Sequence, residues 1–141
     1  MFFGSQLQLY ANGNIRPMRF LTGVAGAGNA GLAVEASAST QILLGISGRN
    51  TRWGAGHPAD DGFIAVAGMP VPYFGPGMRC KLTLGGTVSS ILVPLTSDSA
   101  GRGIAQAPSN GTTCWYGAVA CQTGVENENI DVIVMSPSPT V

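Results

Sequence analysis

His57 and the two aspartates that follow it are the residues of this chain best suited to acid–base chemistry. His57 is the single histidine, and Asp60 and Asp61 come shortly after it. A hydrolase would also need a nucleophile beside that base and donors for an oxyanion. Serines are plentiful, but residues 45–48 (Gly-Ile-Ser-Gly) are one residue too short for a G-x-S-x-G elbow. We expect His57 to make a local hydrogen bond in a loop; a small hydrolase with a cysteine nucleophile is the alternative left open.

A glycine-rich segment at residues 26–31 has the pattern of a dinucleotide-binding turn. It reads Gly-Ala-Gly-Asn-Ala-Gly and follows a predicted strand. The chemistry also requires a helix that opens at the last glycine and an acid about 20 residues further on. The following residues are poor helix formers, and residues 45–51 contain no acid. We therefore expect a glycine-rich connection between strands and no nucleotide cofactor.

The three cysteines, Cys80, Cys114 and Cys121, do not form a recognisable site. An odd number cannot pair completely within one chain, and the spacing of the last two does not fit a zinc site. Asp60 and Asp61 would need further oxygen ligands to hold a hard cation. We expect small buried apolar cysteines, no metal and no cofactor.

The composition indicates one all-β domain with an extensive contact surface. Of the 141 residues, 45% are hydrophobic and 10% are charged, against about 25% charged in an average soluble protein. Twenty-one glycines and nine prolines predict many turns. A net charge of zero gives no footprint for nucleic acid, and no apolar run approaches a membrane span. The beginning of the chain does not read as a secretory signal, so we expect synthesis in a cytoplasm.

Apolar and β-branched runs alternate with turn residues at the spacing of a β-sandwich or β-barrel. We predict strands at residues 15–22, 32–36, 41–47, 62–67, 78–84, 87–93, 103–107, 113–121 and 130–135. Gly85-Gly86 predicts a two-residue hairpin. We assign residues 1–12 to an N-terminal arm, 13–135 to the β-domain and 136–141 to an extended tail, whose prolines predict that it does not pair in a sheet.

The candidate contact residues are cationic and aromatic. Residues 49–61 form the longest stretch without strand character, and loops of this length are usually functional. Aromatic residues in and just after it suit an interface, and the early arginines suit an acidic partner. The candidates for contact with a partner protein or another subunit are Phe2, Phe3, Arg16, Arg19, Arg52, Trp53, Tyr73 and Phe74.

Seven short segments, in order, resemble the capsid cement (head decoration) proteins of tailed bacteriophages. They are residues 15–20 (Ile-Arg-Pro-Met-Arg-Phe), 42–47 (Ile-Leu-Leu-Gly-Ile-Ser), 78–82 (Met-Arg-Cys-Lys-Leu), 95–98 (Leu-Thr-Ser-Asp), 101–105 (Gly-Arg-Gly-Ile-Ala), 115–120 (Trp-Tyr-Gly-Ala-Val-Ala) and 130–134 (Ile-Asp-Val-Ile-Val). The long loop at residues 49–61 and the Pro94-Leu95 pair depart from the family pattern.

The resemblance implies a compact β-tulip-like or jelly-roll-like domain on the outer surface of a virion. It implies a homotrimer that clamps neighbouring major capsid proteins, with no catalysis, cofactor or small-molecule substrate. It also implies that Asp98 and Arg102 shape a turn. The alternative is a β-sandwich that binds a receptor or carbohydrate on a platform of Trp53, Tyr73 and Phe74.

Overall fold

The computed structural model describes residues 8–26, 28–29, 31–53, 56–105 and 113–140. Within these ranges there are ten β-strands and no helix. The strands are β1 (Tyr10–Ala11), β2 (Phe20–Gly23), β3 (Leu32–Glu35), β4 (Leu43–Ser47), β5 (Tyr73–Phe74), β6 (Arg79–Thr83), β7 (Pro94–Ser97), β8 (Gly103–Ile104), β9 (Cys114–Ala120) and β10 (Asn129–Thr140). The predicted all-β class is confirmed.

The strands form two five-stranded sheets. The order is β1-β3-β2-β4-β5 in the first sheet and β6-β10-β9-β7-β8 in the second. The β1–β3 pair is parallel and the other pairs are antiparallel. β5 and β6 are both edge strands, and a short turn joins them. The two sheets therefore present neighbouring edges.

The main core lies between the two sheets. Phe20, Leu43 and Ile46 of the first sheet pack with Leu82 and Val132 of the second, and all five are almost completely buried. Each such side chain contributes roughly 1.5–3 kcal/mol relative to an exposed position. Burial between the sheets is therefore the principal stabilising interaction of the fold.

A second apolar cluster covers the outer face of the first sheet. Leu21 points into this cluster while its neighbour Phe20 points into the main core, as the alternation of a strand requires. Ile15, Ile64 and Val71 complete the cover. The first sheet is thus buried on both faces, whereas Ile133 on the outer face of the second sheet is 43% exposed.

The predicted hairpin at Gly85-Gly86 is wrong. β6 pairs with β10, and Val88 makes an isolated bridge with Gly124. Neither Gly85 nor Gly86 has the positive φ that a type I′ turn requires. Gly85 instead lies against Asp98, where a Cβ atom would collide with the carboxylate. Tertiary packing, rather than a tight turn, requires glycine at this position.

The prediction that the C-terminal tail does not pair is also wrong. Ser138, Pro139 and Thr140 pair with β9, after an irregularity that begins at Val134. Prolines are tolerated at bulges and sheet edges, where a ladder donor is not needed. β6 pairs only with residues 129–133, so this part of β10 lies at an edge. Val141 lies outside the described residues.

Two predicted strands, at residues 62–67 and 87–93, are not strands in the structure, and the predicted strand at residues 15–22 begins only at Phe20. Ile15 and Ala65 form one isolated bridge with each other, and Val88 forms another with Gly124. Of the predicted arm, residues 1–7 lie outside the described residues. Leu9 and Ala11 are buried, and the latter lies in β1. Residues 9–11 therefore pack on the body of the domain.

Candidate binding surface

His57 is part of a locally ordered loop. Its ring stacks on Trp53, with centroids 5.0 Å apart and an interplanar angle of 18°. The backbone N–H of Ala59 donates to Nδ1 of His57 at 3.0 Å. The guanidinium carbon of Arg52 lies 5.8 Å from the Trp53 ring centroid, within cation–π range. The expected local hydrogen bond of His57 is confirmed.

The aspartates near His57 are held by the same loop. Asp61 accepts two hydrogen bonds of 2.8 Å from the Arg52 guanidinium and one of 3.2 Å from the Phe63 backbone. The Arg52 hydrogen bonds are the main reason why the pKa of Asp61 lies below its ordinary value. Asp60 accepts from the backbone N–H of Gly62 at 3.0 Å. Both carboxylates thus shape the loop.

The cysteines are free, and two of them are buried. Burial, with a contribution from Asp131, raises the pKa of Cys80 to about 12, so the thiol is a poor nucleophile at neutral pH. The Cys114 thiol donates to the Ser39 hydroxyl at 3.6 Å, and Cys121 is half-buried. Among the described residues, no three His, Cys, Asp or Glu side chains are grouped as a metal would require.

The glycine-rich segment connects two antiparallel strands, as predicted. It joins β2 to β3, and Gly31 is followed directly by a strand rather than by a helix. Gly26, Gly28 and Gly31 have φ values of 112°, 86° and 82°. These positions favour glycine because side chains rarely adopt such angles.

Arg16 is anchored to the first sheet by an ion pair. Its Nη2 lies 2.8 Å from Oε1 of Glu35 and also donates to the Ala100 carbonyl. The hydrogen bond to Glu35 is the largest reason why the pKa of Arg16 is raised. Nearby, burial lowers the pKa of the half-buried Arg19, which donates to the Pro17 carbonyl. The structure places both arginines in contacts within the domain.

The turn after β7 is organised by Asp98. Its Oδ1 accepts from the backbone N–H groups of Ala100 and Arg102, both at 2.8 Å, and its Oδ2 lies 2.9 Å from Arg102 Nε. Arg102 also donates to Asn127 at 2.9 Å. The expectation that Asp98 and Arg102 shape a turn agrees with this geometry.

Three neighbouring depressions share lining residues, and we call them together the groove. A loop depression of about 510 Å³ includes Arg49, Arg52 and Phe74 among its lining residues. It shares Arg52 with a pocket of about 400 Å³ beside Trp53. It shares Arg49 and Phe74 with a third depression, of about 320 Å³, at the edge formed by β5 and β6. We call this third depression the cationic cleft; it is lined by Arg49, Phe74, Arg79, Cys80, Lys81 and Asp131.

The cationic cleft carries more positive than negative charge. Asp131 is its single acid, with Arg79 Nη2 at 3.0 Å and Lys81 Nζ at 2.9 Å. The Lys81 interaction is the leading cause of the lowered pKa of Asp131. Arg49 is exposed and makes no ion pair with a described residue. With three cations and one carboxylate, the cleft has a net charge of +2.

The structure groups some of the candidate contact residues and separates others. Arg52, Trp53 and Phe74 lie along the groove, whereas Tyr73 packs against the second apolar cluster. Phe2 and Phe3 lie outside the described residues. The sequence analysis missed Arg79 and Lys81. Their alternation around a buried cysteine was the available signal, because it places both cations on one face of a strand.

The described residues include no helix long and apolar enough to cross a membrane. No family model matches the chain, and the comparison with curated proteins gives no match. Among solved structures, the chain is similar to the N base of head fiber gp8.5 in bacteriophage phi29. The TM-score is 0.62 at 12% sequence identity, and the match covers 92% of each chain. At this identity the likeness shows that the two chains share a fold.

Proposed function

We propose that this chain is a virion structural protein that binds the outer surface of an expanded phage capsid. In this proposal it forms a homotrimer and stabilises the head by clamping neighbouring major capsid proteins. The observation that carries the proposal is the similarity to the phi29 head fiber base, which extends over 92% of both chains. A match of that extent compares whole domains rather than a shared motif.

The surface of the domain supports a role in assembly. Leu92, Ile91 and Val125 are 73%, 58% and 52% exposed. The bridge between Val88 and Gly124 brings the two loops that carry them together. Leu92 also has a positive φ of 65°, a conformation that costs about 1–3 kcal/mol in a non-glycine residue. An apolar, strained tip of this kind suits contact with a neighbouring subunit.

The mechanism of stabilisation would be mass action. A protein that binds the expanded shell but not its separated subunits stabilises the shell, by about 2.7 kcal/mol per site when its free concentration is 100 times Kd. A trimer that contacts several capsid subunits at once adds the effect of multivalency. No chemical step is required of His57 or the cysteines.

Co-sedimentation with heads tests this proposal. Purified protein is mixed with undecorated expanded heads and with unexpanded heads of the same phage. We expect saturable binding to the expanded heads and an increased temperature of genome release. Absence from the pellet of expanded heads, with no gain in heat resistance, would contradict the proposal.

A second candidate function is glycan recognition, favoured by the geometry of Trp53. Trp53 is 47% exposed and its ring is held by His57 and Arg52, as a stacking surface for a sugar would need. Tyr73 and Phe74 are partly buried and pack on the two apolar clusters, so the platform would consist of Trp53 alone. Binding to cell-surface glycans that Trp53→Ala abolishes, without binding to heads, would favour this function.

A further inference from the structure

The edge of β6 has an unpaired stretch of backbone at the cationic cleft. Leu84 N–H donates to the Glu128 carbonyl, and Val134 N–H donates to the Met78 carbonyl. The even-numbered residues of β6 therefore form the backbone hydrogen bonds to β10. The backbone N–H and C=O groups of Arg79 and Lys81 point away from β10. At the far end, the outward N–H of Thr83 is occupied by the Met18 carbonyl. No described residue pairs with the outward backbone groups of Arg79 and Lys81.

The side chains around this open edge are mostly cationic, and their charge limits which strands could pair with it. Arg79 is exposed for 65% of its side chain, and Lys81 for 30%. Together with Arg49, which also lines the cleft, they outnumber Asp131 by two charges. Positive side chains discourage a second copy of this edge from pairing with β6. They attract a strand that carries carboxylates.

We propose that the cationic cleft binds an extended acidic segment of another protein, which adds to the second sheet as a strand beside β6. Glutamate or aspartate at every second position would face Arg79, Lys81 and Arg49. The intervening side chains would point toward Phe74 and the buried Cys80, and would therefore be apolar. The ligand class is an acid–apolar–acid segment, recognised by main-chain hydrogen bonds together with charge.

The described parts of this chain do not supply such a segment in extended form. Glu126 and Glu128 are two residues apart, but they lie in a turn. Glu126 is within 3.5 Å of Arg102, and Glu128 accepts from the Val125 backbone at 2.8 Å. The segment is therefore assigned to a partner protein.

The test uses a capped ten-residue peptide of alternating Glu and Val, labelled for fluorescence anisotropy. We expect saturable binding that weakens by about tenfold or more when Gln replaces Glu, because the charge is lost and the strand pattern is kept. A peptide of the same composition with its glutamates grouped together should bind as weakly as the Gln peptide. These comparisons use the unaltered protein, so they do not depend on the folding of any variant.

Amide hydrogen exchange separates strand addition from simple charge attraction. The Glu–Val peptide should slow the exchange of the Arg79 and Lys81 amides by about tenfold or more, since both amides become hydrogen-bonded. The variant R79Q/K81Q should lose binding, while the control R16Q, whose ion pair with Glu35 lies outside the groove, should keep it. Equal affinity for the Glu and Gln peptides, or unchanged exchange at Lys81 in the complex, would overturn the proposal. Peptide binding is independent of heads, so this result and the co-sedimentation result can fail separately.

Discussion

The Asp98 turn and the cationic cleft use the same kinds of residue with opposite outcomes. In the turn, Arg102 shares its donors between Asp98 and Asn127, and its side chain is 22% exposed. In the cleft, Arg79 reaches one carboxylate and is 65% exposed. The turn is saturated from within the domain, whereas the cleft has cations left over. Both regions contain Arg and Asp, so the residue types alone do not distinguish them. A cluster is structural when its charged side chains are all paired within the domain, and it is a candidate binding surface when cations outnumber the carboxylates that pair with them.

Asp98→Ala should have the largest effect on stability. It removes the acceptor of three hydrogen bonds and leaves Arg102 without its main partner, which should lower the free energy of unfolding by about 2–4 kcal/mol. Urea denaturation measures this change. The control is Asp60→Ala, because Asp60 accepts one side-chain hydrogen bond from the described residues and its loss should cost less than about 1 kcal/mol. Equal losses of the free energy of unfolding for the two variants would contradict a special structural role of the Asp98 turn.

Gly45→Ala should affect stability and the cleft together. A Cβ atom at this position would lie 2.9 Å from the Tyr73 ring and against the Phe74 carbonyl, so β5 would have to move away from β4. We expect a loss of about 1–3 kcal/mol in thermal unfolding, with weaker binding of the Glu–Val peptide. Gly13→Ala is the control, since nothing lies within 4 Å of its Cβ position. Full peptide binding by a destabilised Gly45→Ala protein would show that β5 does not form the cleft.

Asp131→Asn should strengthen binding at the cleft. The carboxylate is the single negative group among the cleft residues, and its removal releases Arg79 and Lys81 for the peptide. We expect a several-fold decrease in the Kd of the Glu–Val peptide by anisotropy, with the gain shrinking as salt is added. The matched change Asp61→Asn, at the Arg52 ion pair, should leave the Kd unchanged. Weaker binding by Asp131→Asn would mean that the ion pairs organise the cleft rather than compete for it.

The reactivity of the Cys80 thiol should report the rigidity of the cleft floor. It lies between Arg79 and Lys81 along the strand, but its side chain packs in the main core. At pH 8 we expect Cys121 to react first with a thiol reagent, and Cys80 to react only on unfolding. The thiol keeps its proton up to a pKa of about 12 in the fold, against 9.0 ordinarily. The free energy of unfolding should therefore fall as pH rises from about 9 to 12. Rapid labelling of Cys80 in the folded protein would indicate an open, mobile cleft.

Local patterns predicted much of the strand architecture. β3, β4, β6 and β9 were predictable because each is an apolar run between turn residues. The Gly85-Gly86 prediction failed because Gly85 lies against the Asp98 carboxylate, where a Cβ atom does not fit, and does not form a hairpin turn. The tail prediction failed because prolines can be accommodated at an edge of β10. These errors share a cause: the deciding contacts join residues far apart in sequence.

The candidate site was predictable only in part for the same reason. The aromatic residues of the long loop pointed to Arg52 and Trp53, which do line the groove. The cationic cleft joins Arg49 of one loop to Arg79 and Lys81 on an edge strand of the other sheet. Only the pairing of the strands brings these residues together. The cleft also differs from a simple basic patch, because Asp131 forms ion pairs with two of its three cations, Arg79 and Lys81.

Imaging of decorated heads tests the central proposal most directly. Expanded heads lacking this protein are incubated with it and their structure is determined by electron cryomicroscopy. The account predicts trimeric density on the outer surface, fitted by the two-sheet domain. Bare heads under conditions where the protein is folded would contradict it.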